Sequence, residues 1–266
     1  MQTKSEQIVA TLSKGLIEPK ISVVGCGGAG NNVVNSIYWS NKKVETIAVN
    51  TDESKLEKID AHKKILIGKD VTHGQGAGGF PEVGEHCADM ARSALESVLM
   101  GSDIVIVVAG MGGGTGTGAA PVVIEVAKGL NAVTFAIAIN PFSHERGRQE
   151  TAKEGIKKLR NVAENTIVLE NDRLLQLAGD TPINESFAIM ERSINHIIDS
   201  MTHRITEDVV APIREEVEAY FRYQSDVTIT PQQTVQPFAE LVTASAVPSA
   251  MDLTFTASVN PELLTR

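Results

Sequence analysis

The segment IVIVVAGMGGGTGTGAAP, residues 104–121, decides the fold, because a strand pattern in it runs directly into a glycine-rich loop. Residues 104–109 are continuously apolar and rich in Val and Ile, as expected of a strand that is covered on both faces. Six of the nine residues at 110–118 are glycine, which would be a costly way to close a simple turn. Such a loop favours a row of backbone N–H donors, with the hydroxyls of Thr115 and Thr117, that bind phosphate oxygens. Tight packing of the turn against its neighbours is the alternative interpretation.

Two further glycine clusters support a phosphate site. The strand pattern at 21–24 runs into GCGGAGNN, residues 25–32, which satisfies GxGxxG and leads into a helix whose N-terminus would attract a phosphate. The cluster GQGAGG, residues 74–79, also follows a predicted strand. Because the carboxyl ends of parallel strands meet at one edge of a sheet, we expect the three loops to converge on one ligand site. The chain contains no GxxxxGK[ST] segment, so it is not a P-loop protein.

The alternation of strand and helix patterns predicts an α/β fold with a doubly wound, mostly parallel sheet of Rossmann type. The predicted strands are 21–24, 46–49, 65–67, 104–109, 133–139 and 166–169. The predicted helices are 32–39, 82–100, 120–130, 151–162 and 184–205. Proline suits the first turn of a helix, so Pro121 is expected to mark the start of the third of these helices.

These patterns predict one large domain with a short C-terminal extension. Residues 1–205 would form a nucleotide-binding domain, in which 1–19 are an N-terminal helical extension. Residues 206–266 would form a divergent helix, at about 209–221, and a short tail with a late strand at about 253–259.

Composition restricts the function classes. The 266 residues carry a net charge of −9, which argues against a nucleic-acid groove and against bulk attraction to anionic lipid. No apolar run approaches the roughly 20 residues needed to span a bilayer, and peripheral membrane contact is only a weaker alternative. Two cysteines without a CxxC pair, and no secretory leader, indicate a cytoplasmic protein with structural thiols. The six histidines are scattered, so no metal site made of side chains is predicted.

The glycine motifs resemble those of the tubulin/FtsZ superfamily, and FtsZ in particular. GGGTGTG at 112–118 is similar to the superfamily signature. The other matching segments are VVGCGGAGNN at 23–32, AVNTD at 48–52, GQGAGGFPEVG at 74–84, PF at 141–142, NDRLL at 171–175 and NESF at 184–187. The resemblance covers about 20–205, and it implies the Rossmann-like nucleotide-binding domain of that superfamily.

The resemblance implies GTP or GDP as the ligand, Mg²⁺ beside the phosphates, and self-association into a dimer or higher oligomer. The residues that it places at the phosphates are Gly27, Gly28, Asn31, Ala77, Gly78, Gly79, Gly112, Gly113, Gly114, Thr115, Gly116, Thr117 and Gly118. Those that it places at the ribose and the base are Pro141, Glu145, Arg148, Asn171, Phe187 and Glu191.

The chain departs from the family pattern at three places. Glu191 stands where the family has an Asp that binds guanine, and it could make the same bidentate contact from one methylene further away. Arg148 stands one place before the family's arginine. TEDVVAP, residues 206–212, replaces the family's acidic NLDFAD loop, and the remaining chain is too short for the family's second domain. Glu207 and Asp208 are candidate catalytic acids, although ordinary helix-N-terminal acids are the alternative reading.

We therefore expect a guanine-nucleotide-binding protein with weak or absent hydrolysis of GTP to GDP and phosphate. It would act as a nucleotide-dependent switch or a non-filament oligomer, in membrane or division-related remodelling. One alternative is an active, polymer-forming GTPase that uses Glu207 or Asp208. A more remote alternative is an NAD-binding Rossmann protein that uses the glycine fingerprint of 25–30.

Overall fold

A computed structural model describes residues 19–173 and 183–205, together with Glu207, Glu215 and Ala219. For residues 183–187 it describes the backbone alone. The predicted N-terminal extension, the helix at 209–221, the late strand and Asp208 lie outside the described residues, apart from the single positions named above. Among the described residues, no helix has the length and apolar character to cross a lipid bilayer.

Six strands form one parallel sheet in the order β3-β2-β1-β4-β5-β6. The strands are β1 Ile21–Cys26, β2 Glu45–Asn50, β3 Lys63–Leu66, β4 Ile104–Gly110, β5 Val133–Asn140 and β6 Thr166–Glu170. The order grows outward in both directions from the central pair β1 and β4, which is the doubly wound arrangement that the sequence predicted. All carboxyl ends of the strands therefore meet at one edge, where open sheets of this kind bind ligands.

Eight helices have described bounds, and the longer ones cover the sheet. They are α1 Gly27–Ser40, α2 Glu53–Glu57, α3 Lys69–Thr72, α4 Pro81–Met90, α5 Arg92–Leu99, α6 Gly114–Gly129, α7 Arg146–Val162 and α8 Ile183–Arg204. Strand β4 shows how both faces are used, because its successive side chains point to opposite sides. Val105 and Val107 pack with α4 to α7, whereas Ile106 and Val108 pack with α1 and α8.

Both cysteines are buried free thiols. Burial raises the pKa of Cys26 to about 12 and also raises the pKa of Cys87. Because the thiolate is the reactive form, burial makes both side chains less reactive than an exposed cysteine.

The start of α6 differs from the prediction. The helix begins at Gly114, inside the glycine run, so Pro121 lies in the helix interior rather than in its first turn. The low helix propensity of glycine concealed this start, yet the first turn of a helix has N–H groups with no helical partner, and these are the groups that a ligand can use.

Three other helix boundaries and one connection also differ. Helix α7 begins at Arg146, five residues before the predicted start. Helix α1 begins at Gly27, within the GxGxxG motif. The predicted helix at 82–100 is two helices, because the backbone leaves the helical path at Ala91. The glycine cluster at 74–79 follows the short helix α3 and not the strand β3 directly.

Candidate functional site

A cavity of about 440 Å³ opens at the carboxyl edge of the sheet. It is lined by residues that follow β1, β2, β4, β5 and β6, together with the 75–79 loop. The predicted site residues in its lining are Gly27, Gly28, Ala77, Gly78, Gly79, Gly113, Gly114, Thr115, Gly116, Pro141, Glu145, Arg148 and Asn171. The three glycine clusters therefore meet in one cavity, as the sequence predicted.

The loops after β1 and β4 touch each other at the centre of this edge. Gly27 has a φ of +71°, and a Cβ built on it would lie 2.8 Å from the backbone nitrogen of Gly116. Only glycine fits both that backbone conformation and that approach. The N-terminal turns of α1 and α6 consequently lie side by side, so that two sets of unpaired N–H groups face one space.

Gly28 and Gly113 have no packing reason to be glycine. A Cβ built on either residue meets no atom within 4 Å, and neither has a left-handed φ. Both residues line the cavity. A methyl group there would enter space that this chain keeps open, which fits a ligand whose oxygens must closely approach the backbone N–H groups.

Other glycines of the same run serve packing instead. A Cβ on Gly118 would overlap the Pro81 carbonyl oxygen and approach the backbone nitrogen of Glu85, both in α4. A Cβ on Gly112 would lie 2.8 Å from the Cβ of Arg148. Neither Gly112 nor Gly118 lines the cavity.

Several buried polar groups at this edge have no hydrogen-bond partner among the described residues. They include the side-chain amide of Asn31 in α1, Nδ2 of Asn50, Oγ1 of Thr117 and Oδ1 of Asn171. Each unpaired buried group costs about 1–3 kcal/mol. Asn50 and Asn171 line the cavity directly, so a polar ligand there could supply partners.

The β5 and β6 side of the cavity carries one ion pair and a fastened loop. Glu145 accepts a hydrogen bond from the backbone N–H of Phe142 at 3.2 Å and pairs with Arg148 at 2.9 Å. Gln149 Nε2 donates to the carbonyl oxygens of Pro141, at 2.8 Å, and of Phe142, at 3.0 Å. These contacts fix the loop that presents Pro141 and Glu145 to the cavity.

The β2 side is organised by Asn50 and Asp52. Oδ1 of Asn50 accepts the backbone N–H groups of Thr51, at 2.9 Å, and of Asp52, at 3.2 Å. Oδ1 of Asp52 caps α2 by accepting the backbone N–H of Lys55 at 3.0 Å and the Ser54 hydroxyl at 2.9 Å. Oδ2 of Asp52 lies 3.1 Å from Nζ of Lys55. Desolvation alone would raise the pKa of Asp52, but its bonds to Lys55 and Ser54 lower it overall, so the carboxylate is charged.

Thr115 connects this side with the centre. Its hydroxyl lies 2.7 Å from that of Thr51, and both groups are buried. The hydroxyl of Thr115, for which the sequence predicts a phosphate contact, fastens the start of α6 to the segment after β2.

Sequence reasoning missed part of the lining. The missed residues are Ala29, Asn50, Asp52, Lys55, Gln75, Gly76, Gly110, Met111 and Ile139. Asn50 and Asp52 stand at a strand end within the AVNTD motif, and that position could have identified them. Lys55 lies in a helix and carries no sequence signal of a site.

Some predicted residues do not line the cavity. Asn31 and Thr117 are buried beside it, whereas Glu207 is exposed. Glu191 is half-buried in α8, and desolvation raises the pKa of its carboxyl. The side chain of Phe187 and the whole of Asp208 lie outside the described residues.

The lining can hold Mg²⁺ only with help from a ligand. Its described carboxylates are Asp52 and Glu145, and the described residues contain no group of three or more His, Cys, Asp or Glu placed to bind a metal. Mg²⁺ requires six oxygen ligands and readily takes them from one or two carboxylates, phosphates and water. The donor set therefore fits a Mg²⁺ ion that enters with a nucleotide.

Comparison with known proteins agrees with this architecture. Residues 20–179 match the Tubulin/FtsZ family, GTPase domain. The chain is 48% identical over 189 residues to cell division protein FtsZ 2 of Methanocaldococcus jannaschii, which covers 71% of this chain and 50% of that protein. The chain thus spans about half the length of the curated relatives it matches.

Two solved structures share the fold. An empty FtsZ dimer of M. jannaschii superposes with a TM-score of 0.71 at 34% identity, covering 78% of this chain and 60% of that one. A GTPγS-bound protofilament of CetZ2 from Haloferax volcanii gives a TM-score of 0.65 at 25% identity, covering 73% and 61%.

Proposed function

The chain belongs to the tubulin/FtsZ family, and on that premise we propose that the cavity at the strand ends binds GTP or GDP, with Mg²⁺ beside the phosphates. The observation that carries this proposal is the empty space beside Gly28 and Gly113. Both glycines line the cavity at the start of a helix, and packing does not require glycine at either position. The family assignment favours a guanine nucleotide over the NAD alternative.

The sheet order supports one orientation of the nucleotide. The phosphates would lie over β1 and β4, where α1 and α6 begin. Asn171 and Glu145, after β6 and β5, offer oxygen acceptors for the base and the ribose hydroxyls. Four strand spacings separate β2 from β6, or about 19 Å at ~4.8 Å each, which is enough for an extended nucleoside triphosphate. The terminal phosphate would then point toward β2 and the 75–79 loop.

We infer that hydrolysis is weak unless a partner surface supplies an acid. Mg²⁺ and positioned acids stabilise phosphoryl transfer, but residues 206–212 lack the acidic loop of the family pattern. Glu207 is exposed, which leaves the alternative of an active, filament-forming GTPase open. The protein would self-associate as a cytoplasmic, nucleotide-dependent switch or non-filament oligomer in division-related or membrane remodelling.

The test is GTP turnover by the purified protein over a wide concentration range with Mg²⁺, after chromatography has identified any nucleotide that copurifies. We expect a bound guanine nucleotide and negligible turnover at every concentration. Turnover per molecule that rises with concentration would establish a site shared between subunits and the filament-forming alternative. Retention of NAD with no affinity for GTP would overturn the proposal.

Glu191→Gln tests the guanine contact. We expect it to weaken the preference for GTP but to stabilise the nucleotide-free protein. Burial raises the pKa of Glu191, so the folded protein holds the proton more tightly than the unfolded chain. The ionised carboxylate therefore destabilises the fold above the unfolded pKa, and the destabilisation disappears as the pH falls below that value. We expect Glu191→Gln to raise the nucleotide-free Tm at pH 7 but not near pH 4. The preference for GTP over ATP should fall about tenfold through lost hydrogen bonds to guanine.

The matched variant is Glu191→Asp, which keeps a carboxylate that can accept hydrogen bonds from guanine. It should retain most of the preference for GTP over ATP in a competition titration. If Glu191→Gln leaves that preference unchanged, Glu191 does not contact the base.

A further inference from the structure

The charged side chains of the described cavity lining form two pairs at opposite ends. Glu145 pairs with Arg148 on the β5 side, and Asp52 pairs with Lys55 on the β2 side. In the orientation proposed above, the first pair flanks the nucleoside and the second pair faces the terminal phosphate. The two ends would therefore contact different parts of the nucleotide, although each has one carboxylate paired with one cationic side chain.

We propose that Lys55 binds the terminal phosphate of GTP and makes the site prefer the triphosphate to the diphosphate. This inference rests on the proposed function, and it assigns the recognition of the terminal phosphate to a residue outside the glycine motifs. Lys55 lies in the third position of α2, a helix that begins directly after β2.

Asp52 makes a cation necessary at this end of the cavity. Its Oδ1 is held by the backbone N–H of Lys55 and by the Ser54 hydroxyl, so the carboxylate cannot turn away without uncapping α2. A phosphate that approaches a fixed carboxylate is repelled unless a positive group lies between them. The Nζ of Lys55, 3.1 Å from Oδ2 of Asp52, is such a group.

Lys55 is free to reorient toward a phosphate. Its side chain is 69% exposed, whereas the side chain of its ion-pair partner Asp52 is 16% exposed, so the lysine is the member of the pair that can move. The buried neighbour Leu56 anchors α2, so the lysine stem can move while its helix stays in place.

The 75–79 loop is fastened close to α2. The backbone N–H of Gly76 donates to the carbonyl of Thr51 at 3.1 Å, and that of Glu53 donates to the carbonyl of Gly74 at 3.0 Å. Lys55 and the backbone of this glycine loop consequently line the same end of the cavity. A terminal phosphate there would meet backbone N–H groups from one side and an ammonium group from the other.

The test compares GTP and GDP affinities of the wild-type protein and Lys55→Met, by titration with Mg²⁺ at low ionic strength. Methionine keeps the stem length and removes the charge. We expect Lys55→Met to weaken GTP binding about tenfold, as for a lost charge-assisted contact, and to change GDP binding less than twofold. The matched control is Lys58→Met, which removes the same charge at the C-cap of α2, outside the cavity lining. It should leave both affinities unchanged.

A second variant tests whether Lys55 compensates the charge of Asp52. Asp52→Asn keeps the N-cap, because asparagine caps helices as well as aspartate does. Combined with Lys55→Met, it should recover part of the lost GTP affinity, since the uncompensated carboxylate is gone.

The outcomes distinguish the two proposals. A wild-type protein that binds neither nucleotide would overturn the proposed function and this inference with it. A wild-type protein that binds both, and whose ratio of GTP to GDP affinity is unchanged by Lys55→Met, would overturn this inference alone. An equal loss for Lys58→Met would reduce the effect to bulk electrostatics and would also overturn it.

Discussion

Gly28→Ala is expected to lower GTP affinity at least about 100-fold, a loss of roughly 2.7 kcal/mol, and to leave the nucleotide-free protein at least as stable as wild type. The added methyl group meets no protein atom within 4 Å, so the fold accommodates it. It enters the cavity in the first turn of α1, where it would hold a phosphate away from the backbone N–H groups. Alanine also stabilises a helix relative to glycine, by up to about 1 kcal/mol.

The measurement is a titration with GTP alongside thermal unfolding of nucleotide-free protein, because bound ligand would itself raise the Tm. Gly129→Ala is the matched control. Gly129 is also helical, and a Cβ built on it meets no atom within 4 Å. It lies at the far end of α6 and outside the cavity lining. It should show the stability gain without the loss of affinity. Unchanged GTP binding by Gly28→Ala would contradict the assignment of the phosphates to this edge.

The parallel sheet was predictable because its signals are local. Buried parallel strands are continuous apolar runs, and each of the six predicted strands was found within two residues of its observed bounds. The convergence of the loops after β1 and β4 was also predictable, since it follows from strand direction. The 74–79 cluster follows α3, and tertiary hydrogen bonds to Thr51 and Glu53 hold it at the same edge.

The roles of individual glycines were not predictable in the same way. Gly113 and Gly118 stand in one run and read alike in the sequence, yet the first faces open space and the second is pressed against α4. The difference depends on which helix packs against α6, a tertiary fact without a local signal. Lys55 was missed for a related reason, because it lies within a helix and its place in the cavity lining depends on tertiary packing that has no local signal.

Gly118→Ala is expected to destabilise the protein by about 3 kcal/mol, the upper end of the usual range for overpacking in a core. A Cβ at this position would overlap the carbonyl oxygen of Pro81, which is backbone and cannot rotate away. The contact is reciprocal, because a Cβ on Gly84 of α4 would overlap the carbonyl oxygen of Gly114 at the start of α6. The two helices would have to separate along their length.

Separation of α4 from α6 would also disturb the site, because the first turn of α6 supplies Gly114 to Gly116 to the cavity lining. Gly118→Ala should therefore lower the nucleotide-free Tm by roughly 6–12 °C, at 2–4 °C per kcal/mol for a domain of this size, and weaken GTP binding as well. Thermal and urea unfolding of the variant beside Gly129→Ala, the same substitution in the same helix, measure the packing effect. If the two variants unfold alike, α4 and α6 do not approach as closely as described, and the glycine run would serve the ligand alone.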